Sequence, residues 1–206
     1  MAKIDFYFDF FSPFSYLASF RIRELAERHR APIIYHMVDN QVIKRGAGTT
    51  GPPNHSLPPK YRYLRIDLAR WARRYGISLT SPESVAGVSH EVVGQIGRGF
   101  LVAKHRGTDT AYLRFAYDRL WGENPDVSEQ TLRELAPVAG VEISEFMRAI
   151  DSAEILREAD RENAGAQERG VFGVPTFIVN DQIFWGNDRI DMLDEYLVDP
   201  SRTAKI

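Results

Sequence analysis

The chain has 206 residues, 44% hydrophobic and 26% charged, which suits a soluble globular domain large enough to bury a core. Its formal net charge of -2 and pI near 6.2 give no reason to expect a nucleic-acid partner. It contains no cysteine, which excludes disulfides, thiolate zinc sites and a cysteine nucleophile, so any sulfur chemistry must arrive with a ligand.

Residues 4–10 alternate, with Ile4, Phe6, Phe8 and Phe10 on one face and Asp5, Tyr7 and Asp9 on the other, the period of a strand. Pro13 fits a first helical turn, where its missing N–H costs nothing. Phe14, Leu17, Ala18, Ile22, Leu25 and Ala26 then recur at helical spacing to about His29. PIIYHMVD at 32–39 is rich in β-formers and predicts a second strand. The opening is therefore β-α-β, with Ser12 where the first strand gives way to the first helix.

KRGAGTTGPPNHSLPPK at 44–60 is rich in Gly and Pro and predicts an irregular connection. Tyr61, Leu64, Leu68, Trp71 and Tyr75 mark an amphipathic helix stopped by Gly76, and 83–106 and 109–121 also read as helical. DVSE at 126–129 resembles a capping box, with helices over 128–137 and 144–167 behind it. VPTFIV and QIFWG predict two short strands around Asn180-Asp181. NDRIDMLDEYL predicts a last helix capped by Asn187 or Asp188. The expected fold class is α/β, one domain made of residues 1–44 and 166–206 and an all-helical domain, 45–165, inserted in it. MAKIDFYF lacks a signal-peptide pattern and no stretch reaches membrane-spanning length, so a cytoplasmic protein without membrane contacts is the expectation.

Two local features of the α/β part suggest chemistry. Ser12 stands at a helix N-terminus, where orphan N–H groups and the dipole favour an anion. Val174-Pro175 precedes a strand, and a cis bond there would turn the backbone of Val174 outward to pair with an extended, peptide-like ligand. The plainer readings are a helix cap and a strand-starting proline, and both stay open on the residues alone.

FYFDFFSPFSYLA, GPPNHSL, YLRIDLARWARRYGI, VFGVPTFIV and WGNDRIDML together resemble the 2-hydroxychromene-2-carboxylate isomerases, relatives of the kappa-class glutathione transferases within the thioredoxin-like, disulfide-oxidoreductase-A group. The resemblance covers essentially the whole chain. It implies a thioredoxin-like domain with a helical insertion, glutathione as cofactor, and Ser12 in the place of a redox cysteine, assisting ionisation of the glutathione thiol. By the same resemblance, Val174, presented by Pro175, pairs with the cysteinyl part of glutathione. Asn187 and Asp188 hold its γ-glutamyl end, and Asn54 reaches into the site. Lys60 either meets a glutathione carboxylate or is solvated, and Trp185 is either a pocket wall or core. Lys44, Asn54 and His55 are the expected contacts to an aromatic hydroxy-keto acid substrate, with Phe11, Phe14 and Trp71 as possible aromatic surface. The family carries an aromatic residue in the loop after SLTSP, where this chain has ESVAG, with Val85 at about that position.

The activity so implied is glutathione-dependent isomerisation of 2-hydroxychromene-2-carboxylate, or a close analogue, through transient thiol addition, rotation and elimination, in a homodimeric enzyme of aromatic-hydrocarbon breakdown. The alternatives are a kappa-type glutathione transferase or peroxidase, and a non-enzymatic thioredoxin-like module that binds a peptide at the Val-Pro edge. Other signals are weaker. HEVVG at 90–94 has Gly94 where a zinc motif needs histidine, and GQIGRG at 94–99 lacks the spacing and preceding strand of a dinucleotide fingerprint, so no metal site is expected. His29, His36 and His105 read as surface or packing residues, and no G-x-S-x-G elbow surrounds Ser12.

Overall fold

The computed structural model describes residues 2–85, 87–122 and 127–202, without the side chains of His55 and Arg202. β1 (Ile4–Phe8) leads through α1 (Pro13–His29) to β2 (Ile33–Met37). After α2 (Asn40–Gly46) and α3 (Pro58–Tyr75) come α4 (His90–Arg106), α5 (Asp109–Trp121), α6 (Glu129–Val138), α7 (Ile143–Ala149) and α8 (Ala153–Glu168). β3 (Thr176–Val179), β4 (Gln182–Trp185) and α9 (Ile190–Val198) close the chain. The sheet order is β2-β1-β3-β4, with β1 parallel to β2 and antiparallel to β3.

β1 is buried along its whole length because it is central and covered on both faces. Ile4, Phe6, Phe8 and Phe10 enter the large core shared with the helices, where Phe8 meets Phe100 edge-on at 5.2 Å. Tyr7 belongs to a smaller cluster with Val38, Ile43, Ala166, Val171 and Ile178. Two of the GQIGRG glycines, Gly97 and Gly99, allow close packing of α4 on its neighbours. A Cβ on Gly97 would approach the Met37 sulfur to 2.8 Å, and one on Gly99 would collide with the Tyr112 hydroxyl and the Phe146 ring.

Several boundaries differ from the sequence reading, each for a local reason. The first strand stops at Phe8, since Asp9 turns to bond the Phe11 amide. α2 follows directly on the second predicted strand and takes the first residues of the predicted irregular stretch, capped by Asp39, whose Oδ1 accepts from Gln41 and Val42. The predicted 144–167 helix is two, because the Ser152 hydroxyl caps Ile155 and starts a new helix. Asp126, in the expected capping box, lies outside the described residues, and α6 instead begins after Ser128, whose amide bonds the Thr131 hydroxyl. The divisions at 44/45 and 165/166 fall inside α2 and α8. Asn187 and Asp188 do not cap the last helix: they form a 3₁₀ turn with Arg189, and α9 starts only at Ile190.

Candidate active site

Residues 9–12 carry the chain from β1 into α1. Ser12 is extended (φ -98°, ψ 108°), and its Oγ accepts from the Ser15 amide at 3.2 Å. No acidic residue stands in the first turn of α1, so the positive end of its dipole meets no counter-charge on the helix itself. The helical layer clamps the turn: the Trp121 indole donates to the Phe10 carbonyl at 2.8 Å, and the Tyr117 hydroxyl to the Asp9 carbonyl at 3.2 Å.

Sheet pairing brings the other end of the sequence to this place. Tyr7 pairs with Thr176 in antiparallel register, so Val174 and Pro175, joined by a cis peptide bond, lie beside the end of β1 from which Ser12 departs. Thr176 in turn pairs with Trp185, and the Gly186 amide donates to the Pro175 carbonyl at 2.9 Å, which sets the 187–189 turn at the same end. Asn187 is buried, its carbonyl accepts from the Tyr75 hydroxyl at 3.1 Å, and its Nδ2 has no partner. A buried donor left unpaired is costly, and a ligand oxygen would relieve it. β2 runs parallel to β1 with Met37 opposite Phe8, so α2 also starts from this end, with half-buried Lys44 in its last turn.

The remaining predicted residues are placed as follows. Trp185 is 51% exposed and so is no core residue: it stands edge-on to Phe172 at 4.9 Å and against Gly173, next to Val174. Asp188 is exposed and ion-paired to Arg189 at 2.6 Å. Asn54 lies half-buried in a 3₁₀ turn, and Lys60 is exposed in the first turn of α3. Fifteen residues separate Lys60 from Tyr75, about 22 Å along a helix axis, and no described contact joins Lys60 or Asn54 to the Ser12 turn. The side chain of His55 lies outside those described. Val85, at the position of the missing aromatic residue, is buried.

Sequence reasoning missed Asp9, Asn40, Tyr117 and Trp121. In the sequence Asp9 reads only as one member of the polar face of a strand alternation; its Oδ1 accepts from Phe11 N at 2.8 Å and its Oδ2 from Asn40 N at 2.9 Å. Burial pushes its carboxyl up to about 6, against the two amide bonds that pull it down.

A second polar cluster sits behind the sheet, beside a cleft of about 480 Å³ lined by Tyr7, His36, Arg161 and Arg169 among others. His36, expected as a surface or packing residue, is its hub: Nε2 meets Asp5 at 3.0 Å, Nδ1 meets Glu162 at 2.9 Å, and the ring stacks on Tyr7 at 4.5 Å. Arg169 donates to Asp5 at 2.8 Å and to the Tyr7 hydroxyl at 3.0 Å, and Lys104 to Glu162 at 3.0 Å. These groups satisfy one another.

A strand-helix-strand opening, a helical layer and a cis-proline before a closing strand pair define a thioredoxin-like protein. The chain belongs to the family of DSBA-like thioredoxin domains, which matches residues 3–198. A probable DsbA oxidoreductase from Streptomyces coelicolor shares the fold, with a TM-score of 0.72 at 16% identity over 100% of this chain and 93% of that one. Sequence relatives narrow the placement. The chain is 40% identical over 197 residues to the 2-hydroxychromene-2-carboxylate isomerase of Sphingobium xenophagum, covering 95% of this chain and 98% of that protein. It is 36% identical over 193 residues to the isomerase of the same name from Pseudomonas putida, covering 93% and 92%. A solved structure of a 2-hydroxychromene-2-carboxylate isomerase superposes with a TM-score of 0.85 at 34% identity, covering 97% of this chain and 96% of that one. The chain is therefore a member of the 2-hydroxychromene-2-carboxylate isomerase family. No helix among the described residues is long and apolar enough to cross a membrane.

Proposed function

We propose that the chain is a glutathione-dependent isomerase that converts 2-hydroxychromene-2-carboxylate, or a close aromatic analogue, into trans-o-hydroxybenzylidenepyruvate. The observation that carries the proposal is Ser12: a hydroxyl at the N-terminus of α1, whose first turn holds no acidic residue, beside Val174-Pro175, in a chain without a single thiol. The relatives named above for this activity support it. Glutathione, when bound, would supply a nucleophilic sulfur able to add reversibly to the conjugated double bond of the ring-opened substrate, making it a rotatable single bond until elimination returns the thiol.

The chain's own groups fit that ligand. The orphaned Asn187 Nδ2 suits a carboxylate or carbonyl oxygen at the γ-glutamyl end, and the exposed Asp188 carboxylate suits its ammonium. Half-buried Val174 offers backbone groups to the cysteinyl unit, with Trp185 as a wall. Ser12 donates its hydroxyl proton towards sulfur, and with the dipole it favours the ionised thiol, whose ordinary pKa is about 8.5. Lys44 takes the substrate carboxylate. The half-buried Phe11 and Phe14 rings flank the same turn and give an aromatic substrate apolar surface. Orientation of two bound reactants supplies much of the acceleration. Asn54 and Lys60 take no assigned role. A homodimer in the cytoplasm completes the proposal.

The test is chromatography of the products formed from 2-hydroxychromene-2-carboxylate with and without glutathione, on wild type and Ser12→Ala. The expected result is a sulfur-free isomer, formed only with glutathione, and a loss of about a hundredfold in the variant. A thiolate absorbance of bound glutathione that moves to higher pH in Ser12→Ala is the companion signal. Wild-type turnover by Ser12→Ala would refute the role of the hydroxyl, and a sulfur-bearing conjugate would make the chain a kappa-type transferase.

A further inference from the structure

Asp9 is joined to more of the candidate site than any residue the motifs single out. Its Oδ1 accepts from the amide of Phe11, inside the turn that sets Ser12, and its Oδ2 from the amide of Asn40, the first residue of the helix carrying Lys44. Its carbonyl accepts from the Ser12 amide at 3.1 Å and from the Tyr117 hydroxyl. One side chain therefore ties the Ser12 turn to α2, two segments 31 residues apart in sequence. Nothing else in the described hydrogen bonding joins those two backbones directly.

The geometry points to Asp9 as a positioning residue for the isomerisation, a strut whose carboxylate holds the Ser12 turn and the Lys44 helix in register. The inference rests on the function proposed above. Its chemistry follows from the acceptor count. A carboxylate offers both oxygens as acceptors, whereas a carboxylic acid turns one of them into a donor, which then faces an N–H donor. Protonation thus releases the strut at one end. Burial places that event near pH 6. The groups facing the carboxylate are the Phe11 and Asn40 amides, Asp39 at the start of α2, His90 at the start of α4 and Tyr117 of α5, and the net effect is a carboxyl that titrates within the range of ordinary assays.

Asp9→Asn imitates the protonated state at every pH, since its amide NH₂ also presents a donor to one of the two N–H groups. In wild type without glutathione, the Phe11 and Asn40 amide signals in ¹⁵N–¹H spectra should titrate together with a midpoint of about 6. In Asp9→Asn that titration is absent. At about pH 8 the variant should lose roughly tenfold in kcat, the scale expected for slight misplacement of reacting groups, while its glutathione affinity stays within about twofold. A residue that only stabilised the fold would not split kcat from ligand affinity in this way. Amide signals that do not titrate together, or a variant with wild-type kcat, overturn the proposal. Wild type that fails to isomerise the substrate at any pH is a failure of the isomerase reading instead, and the wild-type amide titration then decides the strut alone, as it does should the variant not fold.

Discussion

Arg169→Met isolates the polar cluster behind the sheet. Asp5 is 4% exposed and has two side-chain partners, Arg169 at 2.8 Å and His36 at 3.0 Å. Burial acts to raise the Asp5 carboxyl, and the Arg169 and His36 contacts outweigh it, so the net shift is downward. Methionine keeps apolar bulk near the Tyr7 ring, over which the guanidinium lies at 6.0 Å, and removes only the charge and its donors. Taking one partner from a buried pair costs about 3–5 kcal/mol. The Arg169 side chain is 37% exposed, so solvent already screens part of the interaction, and about 2 kcal/mol is the better expectation. That corresponds to roughly 4–8 °C in Tm for a chain of this size. The assay is urea unfolding of wild type, Arg169→Met, Asp5→Asn and the double variant, with a coupling energy of about 1 kcal/mol or more expected between the sites. The pH dependence fixes the sign. With its pKa lowered, Asp5 contributes stability above its unfolded value of about 4 and loses it as pH falls through the folded value. Without Arg169, burial gains on the remaining contact, the folded pKa rises, and the deficit of the variant shrinks on acidification towards pH 4. A deficit that does not change with pH, or coupling below about 0.5 kcal/mol, would refute the assignment of Arg169 as the partner that keeps Asp5 charged.

Three further outcomes are expected. Asp9 has the opposite sign: with its carboxyl raised to about 6 from 3.8, wild type should gain about 2 kcal/mol between about pH 7.5 and 4.5 relative to Asp9→Asn, read by urea unfolding across pH. Gly99→Ala should destabilise by about 2 kcal/mol or more, since the new methyl meets Tyr112 and Phe146 within a packed core, and thermal unfolding by circular dichroism checks it. Asn187→Ala should weaken glutathione binding about tenfold by calorimetry while leaving the ligand-free protein no less stable, because the lost Nδ2 has no partner to forfeit.

Elements governed by local physics are legible in the residues alone. Alternation gave β1, Pro13 and Ser12 gave the start of α1, and the turn at Asn180-Asp181, both at positive φ, gave the β3-β4 hairpin. Family motifs named Ser12, Val174 and Asn187 as candidates, and sheet register does bring them to one end of the strands. Helix ends were less legible, because a single capping hydroxyl such as that of Ser152 divides a continuous apolar periodicity. The bonds that hold the site exist only once the chain has packed: Asp9 to Asn40, Trp121 to Phe10, Tyr75 to Asn187. Packing alone pairs Arg169 with Asp5 across 164 residues and sets His36 between two carboxylates. Periodicity records which face of an element is buried, whereas the partner of a polar side chain is fixed only when distant segments pack, and no local pattern encodes that meeting.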